Sequence, residues 1–326
     1  MYTLKDRIFA VDEFSFETLA IELFAYQYRQ VSMYRAFCDS FKKKPENVRT
    51  LADIPFIPID FFKRHRLLAG EMADQKIFES SSTTDTVPSC HYVADLTVYE
   101  ESFLKGFAQF YGTLQDYIIL ALLPSYLERE TSSLVYMVKQ LMEIGRNKES
   151  GFYLHDFEKL KSTLEQLKQQ NKKVILWGVT FALLDFVEKY ATHFPKLIVM
   201  ETGGMKGRRK EITRLEVHQI LRRAFGVDKI HSEYGMTELL SQAYSLGDGR
   251  FNTPPWMKIL VRDMDDPLGI GIRGSAGALN VVDLANIYSC SFIATGDTGI
   301  VYDDGSFEVT GRMDYTEVRG CNLMVH

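Results

Sequence analysis

Hydrophobic residues follow two alternating periods through the central part of the chain. In "DLTVYEESFLKGFAQFYG", Phe103, Phe107 and Phe110 share one face at helical spacing, and Gly112 ends the segment. The next segment, "YIILALLP", is apolar at nearly every position, which is typical of a strand buried on both faces of a parallel sheet. The pattern therefore predicts a helix followed by a buried strand.

The same alternation continues to residue 226. Helical periods occur in "SSLVYMVKQLMEIG", "HDFEKLKSTLEQLKQQN", "FALLDFVEKYA" and "TRLEVHQILRRAFG", and buried strands in "KVILWGV" and "KLIVMETGG". The last helix begins with a capping box, Thr213 and Glu216, and closes at Gly226. We predict an α/β fold with a largely parallel sheet and helices on both of its faces.

The two ends of the chain have other patterns. "FSFETLAIELFAYQYRQVSMYRAFCDSF" is helical, and "LADIPFIPIDFF" carries two prolines that predict an extended connector. Towards the C-terminus, "WMKILVRDM", "GALNVVDL" and "SCSFIATGDTGIVYDDGSFEV" are strand-like, with a hairpin turn at Asp304 and Gly305. They predict a small antiparallel sheet or distorted barrel. We expect one large domain with a helical segment (1–70), an α/β core (71–250), a small β subdomain (251–312) and a tail (313–326).

Composition narrows the function classes. The 326 residues are 46% hydrophobic and 25% charged, as in soluble globular proteins, and a net charge of −5 argues against nucleic acid. The longest apolar run, "IILALL", is too short to span a membrane, and the N-terminus lacks a signal-peptide pattern. Four scattered cysteines predict a cytoplasmic protein without a disulfide framework or structural zinc.

The first unusual loop is "FESSSTTDTVPS", residues 78–89. It holds five consecutive hydroxyl residues, from Ser80 to Thr84. Hydroxyls and free backbone amides in a tight loop can bind phosphate oxygens. A solvated turn is the alternative, and this loop by itself favours that simpler interpretation.

The second loop is "EYGMTE", residues 233–238. Gly235 permits close approach of the backbone, Thr237 offers a hydroxyl, and Glu238 offers a hard oxygen ligand for Mg²⁺. The alternative is that Thr237 and Glu238 begin a helix, "ELLSQAYSL".

The third segment is "ATGDTGIVYDDGSFEVTGRMDYTEVRG", residues 294–320. Asp297 lies between glycines, and Arg312 follows a glycine after the hairpin. An acid can accept both ribose hydroxyls, and an arginine can bind the same sugar or a phosphate. The alternative is an ordinary Arg–Asp pair on a surface hairpin.

In this order and spacing, the three segments resemble the acyl-adenylate-forming superfamily of acyl-CoA ligases, luciferases and nonribosomal adenylation domains. "LADIPFIPIDFFK", "LLPSYLERETSSLVYMV", "WGVTFAL" and "ETGGMKGRRKEITRLEVHQIL" further resemble its LuxE-like branch, the acyl-protein synthetases, from about residue 50 onward. The resemblance implies that ATP and Mg²⁺ activate a carboxylic, typically fatty, acid to acyl-AMP, and that the acyl group passes to a protein cysteine. It also implies the superfamily's large N-terminal domain, with the mobile C-terminal domain absent.

The resemblance carries roles to individual residues. For the nucleotide it implies Ser81, Thr83 and Thr84 on the phosphate loop, Gly203, Gly204, Tyr234 and Gly235 around the adenine, and Asp297 at the ribose. For catalysis it implies Thr237 at the α-phosphate, Glu238 as the metal ligand, Arg312 beside the sugar, and Cys321 as the acyl acceptor. Tyr126 and Ser133 would lie near the pocket for the acid.

The sequence departs from the superfamily's pattern in two places, and these departures leave other functions possible. Ser82 and Asp85 stand where the family's phosphate loop has glycines, and the sequence ends 12 residues after Asp314, without the lysine of the C-terminal domain. Basic residues 206–210 could replace that lysine or simply be solvated. The alternatives are transfer to coenzyme A or a carrier protein with help from a partner, and a nucleotide- or acyl-binding protein without turnover. Candidate partners are an acyl-CoA/aldehyde reductase and an acyl carrier protein.

Overall fold

The computed structural model of the chain describes residues 4–80, 87–123, 131–170, 172–190, 192–203, 212–264, 266 and 268–313. The helices of these residues are α1 (Leu4–Ile8), α2 (Glu13–Gln30), α3 (Ser32–Ser40), α4 (Phe61–Arg64), α5 (Leu96–Tyr111), α6 (Ser133–Gly145), α7 (Phe157–Lys168), α8 (Thr180–Lys189) and α9 (Arg214–Phe225). As predicted, Gly112 follows α5 and the capping box of Thr213 and Glu216 opens α9.

The strands are β1 (Ile57–Pro58), β2 (Lys76–Glu79), β3 (Cys90–Val93), β4 (Tyr117–Leu122), β5 (Gly151–Phe152), β6 (Lys173–Val179), β7 (Ile198–Thr202), β8 (His231–Tyr234), β9 (Ala243–Ser245), β10 (Met257–Arg262), β11 (Ala276–Asp283), β12 (Phe292–Val301) and β13 (Phe307–Arg312). Six of them form one sheet in the order β5-β4-β6-β7-β8-β9. Its pairings are parallel except that of β9, which runs antiparallel to β8.

The predicted α/β core is confirmed by this sheet. Every residue of β4 is buried, and so is every residue of β6 except the first, because helices cover strands that carry few polar side chains. The fold is thus a mixed α/β architecture, and the carboxyl ends of β7 and β8 lie side by side at one edge of the sheet.

The C-terminal strands form a second sheet of five strands, in the order β1-β12-β11-β10, with β13 also paired to β12. The hairpin predicted at Asp304 and Gly305 is confirmed by the β12–β13 pairing. The sheet is open in the described residues, so a sheet and not a closed barrel is formed. The parallel partner of β12 is β1, which belongs to the N-terminal segment.

Two local predictions need correction. "LADIPFIPIDFF" is only partly extended, because Leu51–Asp53 form a 3-10 turn, β1 joins the second sheet and Phe61 begins α4. The possible helix "ELLSQAYSL" is wrong, since residues 237–238 form a turn, residues 239–242 are irregular and β9 follows. Across the described parts of the chain, none of the helices combines the length and apolar character that crossing a membrane requires.

Candidate active site

The candidate site lies where β7 and β8 end. β7 runs to Thr202, and Gly203 follows with φ +57°, a left-handed conformation that glycine adopts without strain. β8 ends at Tyr234, at the start of the loop 235–242. Because ligands of open parallel sheets bind beyond the carboxyl ends of the strands, this edge is where a nucleotide is expected.

Tyr234 and Asp297 connect the two sheets at this edge. The Tyr234 hydroxyl donates a hydrogen bond to Asp297 Oδ2 at 2.9 Å, although 63 positions separate the residues in sequence. The tyrosine ring packs edge-on against Phe307, with 5.4 Å between ring centroids, and is only 8% exposed. Burial, reinforced by the charge of Asp297, raises the pKa of Tyr234 well above its usual value, so the hydroxyl keeps its proton and remains a donor.

Arg312 holds the other oxygen of the same carboxylate. Asp297 and Arg312 are register partners on β12 and β13, and Arg312 Nε lies 3.1 Å from Asp297 Oδ1. The Asp297 side chain is 11% exposed, whereas that of Arg312 is 78% exposed. The pair therefore presents a fixed carboxylate from the sheet and a guanidinium reaching into solvent, the combination that a ribose or phosphate can use.

Gly235 makes a close approach to its own neighbours. A Cβ at this position would collide with Glu233 Oε1 and touch the side chain of Gln242 at an ordinary contact distance. A larger residue would therefore displace the Glu233 carboxylate or move the loop. Glycine at this position therefore leaves the Glu233 carboxylate in the place it occupies.

Glu238 brings the loop 235–242 to the hairpin β2–β3. The side chain of Glu238 is buried, and burial raises its pKa. A hydrogen bond with Ser89 and the charges of Arg312 and Lys63 oppose that shift. Ser89 closes the base of the hairpin loop, where its amide donates to Ser80 Oγ at 2.9 Å and its carbonyl accepts from the Ser80 amide at 3.0 Å. The second and third motifs thus meet the base of the first.

Two further carboxylates lie in the ends of the strands. Glu233 on β8 accepts a hydrogen bond from Thr202, and burial together with the charge of Glu201 raises its pKa to about 7. Glu201 on β7 is also buried, and burial alone would raise its pKa. The opposing influence of His218 and Arg214 prevails, so the Glu201 pKa lies below its usual value and the group stays charged.

Glu238 is the residue expected to hold a nucleotide-bound magnesium ion, and a carboxylate oxygen is the type of ligand that such an ion takes. Mg²⁺ in nucleotide sites is held by one or two carboxylates together with phosphate oxygens, and Glu238 is a hard oxygen donor beside the hairpin expected to carry the phosphates. In the described ranges, no cluster of three or more His, Cys, Asp or Glu side chains forms a site made by the protein alone.

Several predicted residues lie outside the described ones. These are Ser81, Thr83, Thr84, Gly204, Tyr126 and Cys321, together with the basic residues 206–210. Ser133 is described: it is the first residue of α6 and is buried, and its carbonyl accepts from the Tyr99 hydroxyl at 3.0 Å. Of the cysteines, Cys38 and Cys290 are free and buried, as expected of small packing residues, and Cys90 is free and half-buried.

Comparison with known proteins decides the family. The family model described as "Acyl-protein synthetase, LuxE" matches residues 12–326. The chain belongs to the LuxE acyl-protein synthetase family. A search of curated proteins gives no match.

Several solved structures share the fold of this LuxE-family chain. 2-Hydroxyisobutyryl-CoA ligase, in complex with an acyl-AMP, is 13% identical over 94% of this chain and 70% of its own, with a TM-score of 0.68. ATP-bound MatB from Rhodopseudomonas palustris is 16% identical over 74% and 48%, with a TM-score of 0.55. A long-chain-fatty-acid-CoA ligase from Archaeoglobus fulgidus is 15% identical over 74% and 52%, with a TM-score of 0.53. The chain thus spans about half the length of the last two ligases.

Some polar residues of the site do not appear among those predicted for the LuxE-family chain. Glu201 and Glu233 are acidic residues at the ends of otherwise apolar strands. An acidic residue at a buried strand position is rare, and this signal could have identified both as candidate site residues. His91, Asp283 and Asn286 are fully buried around the loop 235–242. Their part in the site depends on contacts between residues far apart in sequence, which local patterns do not contain.

Proposed function

We propose that this protein uses ATP to convert a carboxylic acid to an acyl-adenylate and then transfers the acyl group to a thiol, with Cys321 as the first candidate acceptor. The observation that carries the proposal is the meeting of three distant segments at the end of β8. Asp297 bonds to Tyr234, Arg312 bonds to Asp297, and Glu238 lies at the base of the hairpin β2–β3. Membership of the LuxE family supports the same chemistry.

In the first half-reaction, a carboxylate oxygen of the acid attacks the α-phosphorus of ATP while the bond to pyrophosphate breaks. Asp297 accepts hydrogen bonds from the ribose hydroxyls, and the exposed guanidinium of Arg312 donates hydrogen bonds to the sugar or to a phosphate. Thr237 donates a hydrogen bond to the α-phosphate. Glu238 would hold the magnesium, which would neutralise charge on the phosphates. Catalysis is then mostly positioning and charge stabilisation.

In the second half-reaction, a thiolate sulfur attacks the acyl carbonyl, a thioester forms and AMP leaves with the electrons of the broken C–O bond. Cys321 supplies that sulfur in the leading proposal, following the acyl-protein synthetase resemblance. Coenzyme A or a carrier-protein thiol is the second candidate acceptor, favoured because two structures of similar fold are CoA ligases by name. The two candidates differ in whether this protein itself becomes labelled.

The acid is proposed to lie near Ser133 and Tyr126, with a fatty acid as first choice. Ligases of similar fold are named for both a short hydroxy acid and long-chain fatty acids, so chain length has to be found by experiment. A panel should therefore pair acids of 4, 8, 14 and 16 carbons, about the span of those names, with their 2-hydroxy derivatives.

The test is ATP–pyrophosphate exchange measured with that panel. Exchange that depends on one acid supports adenylation, and subsequent labelling of the protein by the radioactive acid supports transfer to a cysteine. Exchange with transfer only to added coenzyme A or carrier would favour the second acceptor. Absence of exchange with every acid, despite measurable ATP binding, would replace the proposal by a binding protein without turnover.

A further inference from the structure

The loop that carries Glu238 is held through its backbone by buried side chains of other segments. His91 Nδ1 lies 2.8 Å from the carbonyl oxygen of Thr237, and Asn286 Nδ2 donates to the carbonyl oxygen of Glu238 at 2.8 Å. His91 is on β3, and Asn286 follows β11. Two consecutive carbonyls are thus fixed from opposite parts of the chain.

The amides a little further along the loop are fixed by one carboxylate. Asp283 Oδ2 accepts from the amides of Leu240 and Ser241 at 2.8 and 3.0 Å, and Asp283 Oδ1 accepts from the Ser241 hydroxyl at 2.6 Å. Since residues 235–242 are an irregular loop outside the helices and strands, their buried backbone groups need such side-chain partners. We name His91, Asp283 and Asn286 the polar bracket.

All three bracket side chains are fully buried, so their bonds are not shared with bulk solvent. A carbonyl oxygen can only accept, and therefore His91 carries its proton on Nδ1. Burial lowers the pKa of His91 to about 4, which keeps the imidazole neutral and leaves Nε2 as an acceptor. Phe62 packs edge-on against the ring with 5.6 Å between centroids and limits its rotation.

Two residues of the bracket, His91 and Asn286, line one small cavity together with Ser289. His91 Nε2, Asn286 Oδ1 and Ser289 Oγ have no hydrogen-bond partner among the described residues, and all three residues line a cavity of about 10 Å³. That is about the room one water molecule needs. A water here can donate to the two acceptors and accept from the serine, and so link His91 to Asn286.

We propose that the polar bracket, with one ordered water in this cavity, positions Glu238 for its metal-binding role. The bracket fixes the backbone on both sides of the Glu238 side chain. His91 belongs to the hairpin β2–β3, and Ser89 at the base of this hairpin forms a hydrogen bond with the Glu238 carboxylate. These are positioning residues, which act through the loop. The inference rests on the proposed function, because it assigns a purpose to the geometry of Glu238 in metal–nucleotide binding.

The test compares His91→Leu with His91→Asn, since the asparagine amide can replace Nδ1 as donor to the Thr237 carbonyl. ATP affinity is measured by calorimetry with Mg²⁺ and with EDTA, and the ratio of the two affinities is the readout. His91→Leu should reduce this ratio about tenfold, the effect of one unsatisfied buried carbonyl, while His91→Asn keeps it within about threefold. His231→Leu is the matched control: His231 also has a pKa lowered to about 4 and bonds Tyr111, but at the other end of β8. It should lower the melting temperature and leave the ratio unchanged.

A folded His91→Leu protein with an unchanged ratio, or an asparagine variant as defective as the leucine variant, would overturn the proposal. If His91→Leu does not fold, Asn286→Ala takes its place, because it removes the hydrogen bond to the Glu238 carbonyl oxygen. This variant should also reduce the ratio of ATP affinities with Mg²⁺ and with EDTA, and an unchanged ratio refutes the bracket. Failure of the unmutated protein to bind ATP under any condition would refute the proposed function instead. Amide hydrogen exchange of residues 235–241 then still tests the bracket, because His91→Leu should accelerate it and His91→Asn should not.

Discussion

Replacing Asp297 by alanine should remove the recognition of ribose and leave the rest of nucleotide binding in place. The carboxylate has one oxygen on the Tyr234 hydroxyl and the other on Arg312 Nε. Each oxygen has a second lone pair, so two ribose hydroxyls can still donate to the same group. The alanine variant loses both of these acceptors.

The size of the effect follows from hydrogen bonds to a charged acceptor. Each such bond contributes about 1.5–3 kcal/mol, so the loss of two should weaken ATP binding to Asp297→Ala by about 3–6 kcal/mol, on the order of 10²- to 10⁴-fold. The exposed Arg312 adds little to stability through its ion pair. The buried Tyr234 hydroxyl, however, loses its partner, which costs about 1–3 kcal/mol of folding stability.

The assay compares calorimetric dissociation constants of ATP and 2′-deoxy-ATP. The unmutated protein should prefer ATP, and Asp297→Ala should bind both nucleotides equally weakly. Tyr234→Phe is the control, because it keeps the carboxylate and should keep the preference. Combining Tyr234→Phe with Asp297→Ala should recover stability without recovering ATP affinity. A preference for ATP that survives in Asp297→Ala would falsify the assignment of this residue to the ribose.

Three other outcomes are expected. Glu238→Gln should raise the Mg²⁺ concentration needed for half-maximal pyrophosphate exchange at least tenfold without lowering the melting temperature; an unchanged requirement contradicts the metal role. Burial raises the pKa of Glu233 in the folded protein to about 7, above the usual 4.5. The folded state therefore keeps the proton that the unfolded state releases, and stability falls as the pH rises from 4.5 to 7 and then levels off. Glu233→Gln should therefore match the unmutated protein in urea unfolding at pH 4.5 and exceed it by about 3 kcal/mol at pH 8; equal stability at both pH values refutes the shift. Cys321→Ser should retain exchange but abolish hydroxylamine-sensitive labelling by radioactive acid; labelling that persists assigns the acceptor elsewhere, with Cys90 the next candidate.

Periodicity was sufficient to predict most of the α/β core. Strands such as β4 and β6 are apolar at almost every position because both faces are covered, and that composition is visible in the sequence. The pairing of β1 with β12 was not predictable in the same way. A two-residue strand has no period, and its partner lies more than 230 positions away.

The candidate site was predictable through its motifs and not through its neighbours. The glycines and acids around Tyr234 and Asp297 form a recognisable pattern, and the structure brings these two residues into direct contact. The alternative of a helix after Thr237 could not be dismissed from sequence, since threonine and glutamate suit a first helical turn. What prevents the helix is tertiary: side chains from β3 and from the segment after β11 take the backbone groups that a helix would use.

The site also joins the two sheets. Tyr234 ends a strand of the six-stranded sheet, Asp297 lies within the five-stranded sheet, and the bond between them is buried. A ribose bound to Asp297 would therefore contact the same carboxylate that connects the sheets. Glu238 would act on the phosphates of the same nucleotide through the magnesium ion. Anything that binds only the folded site stabilises the fold by mass action. ATP should thus stabilise the contact between the sheets as well as the loop, and adenine alone, lacking ribose and phosphate, should not.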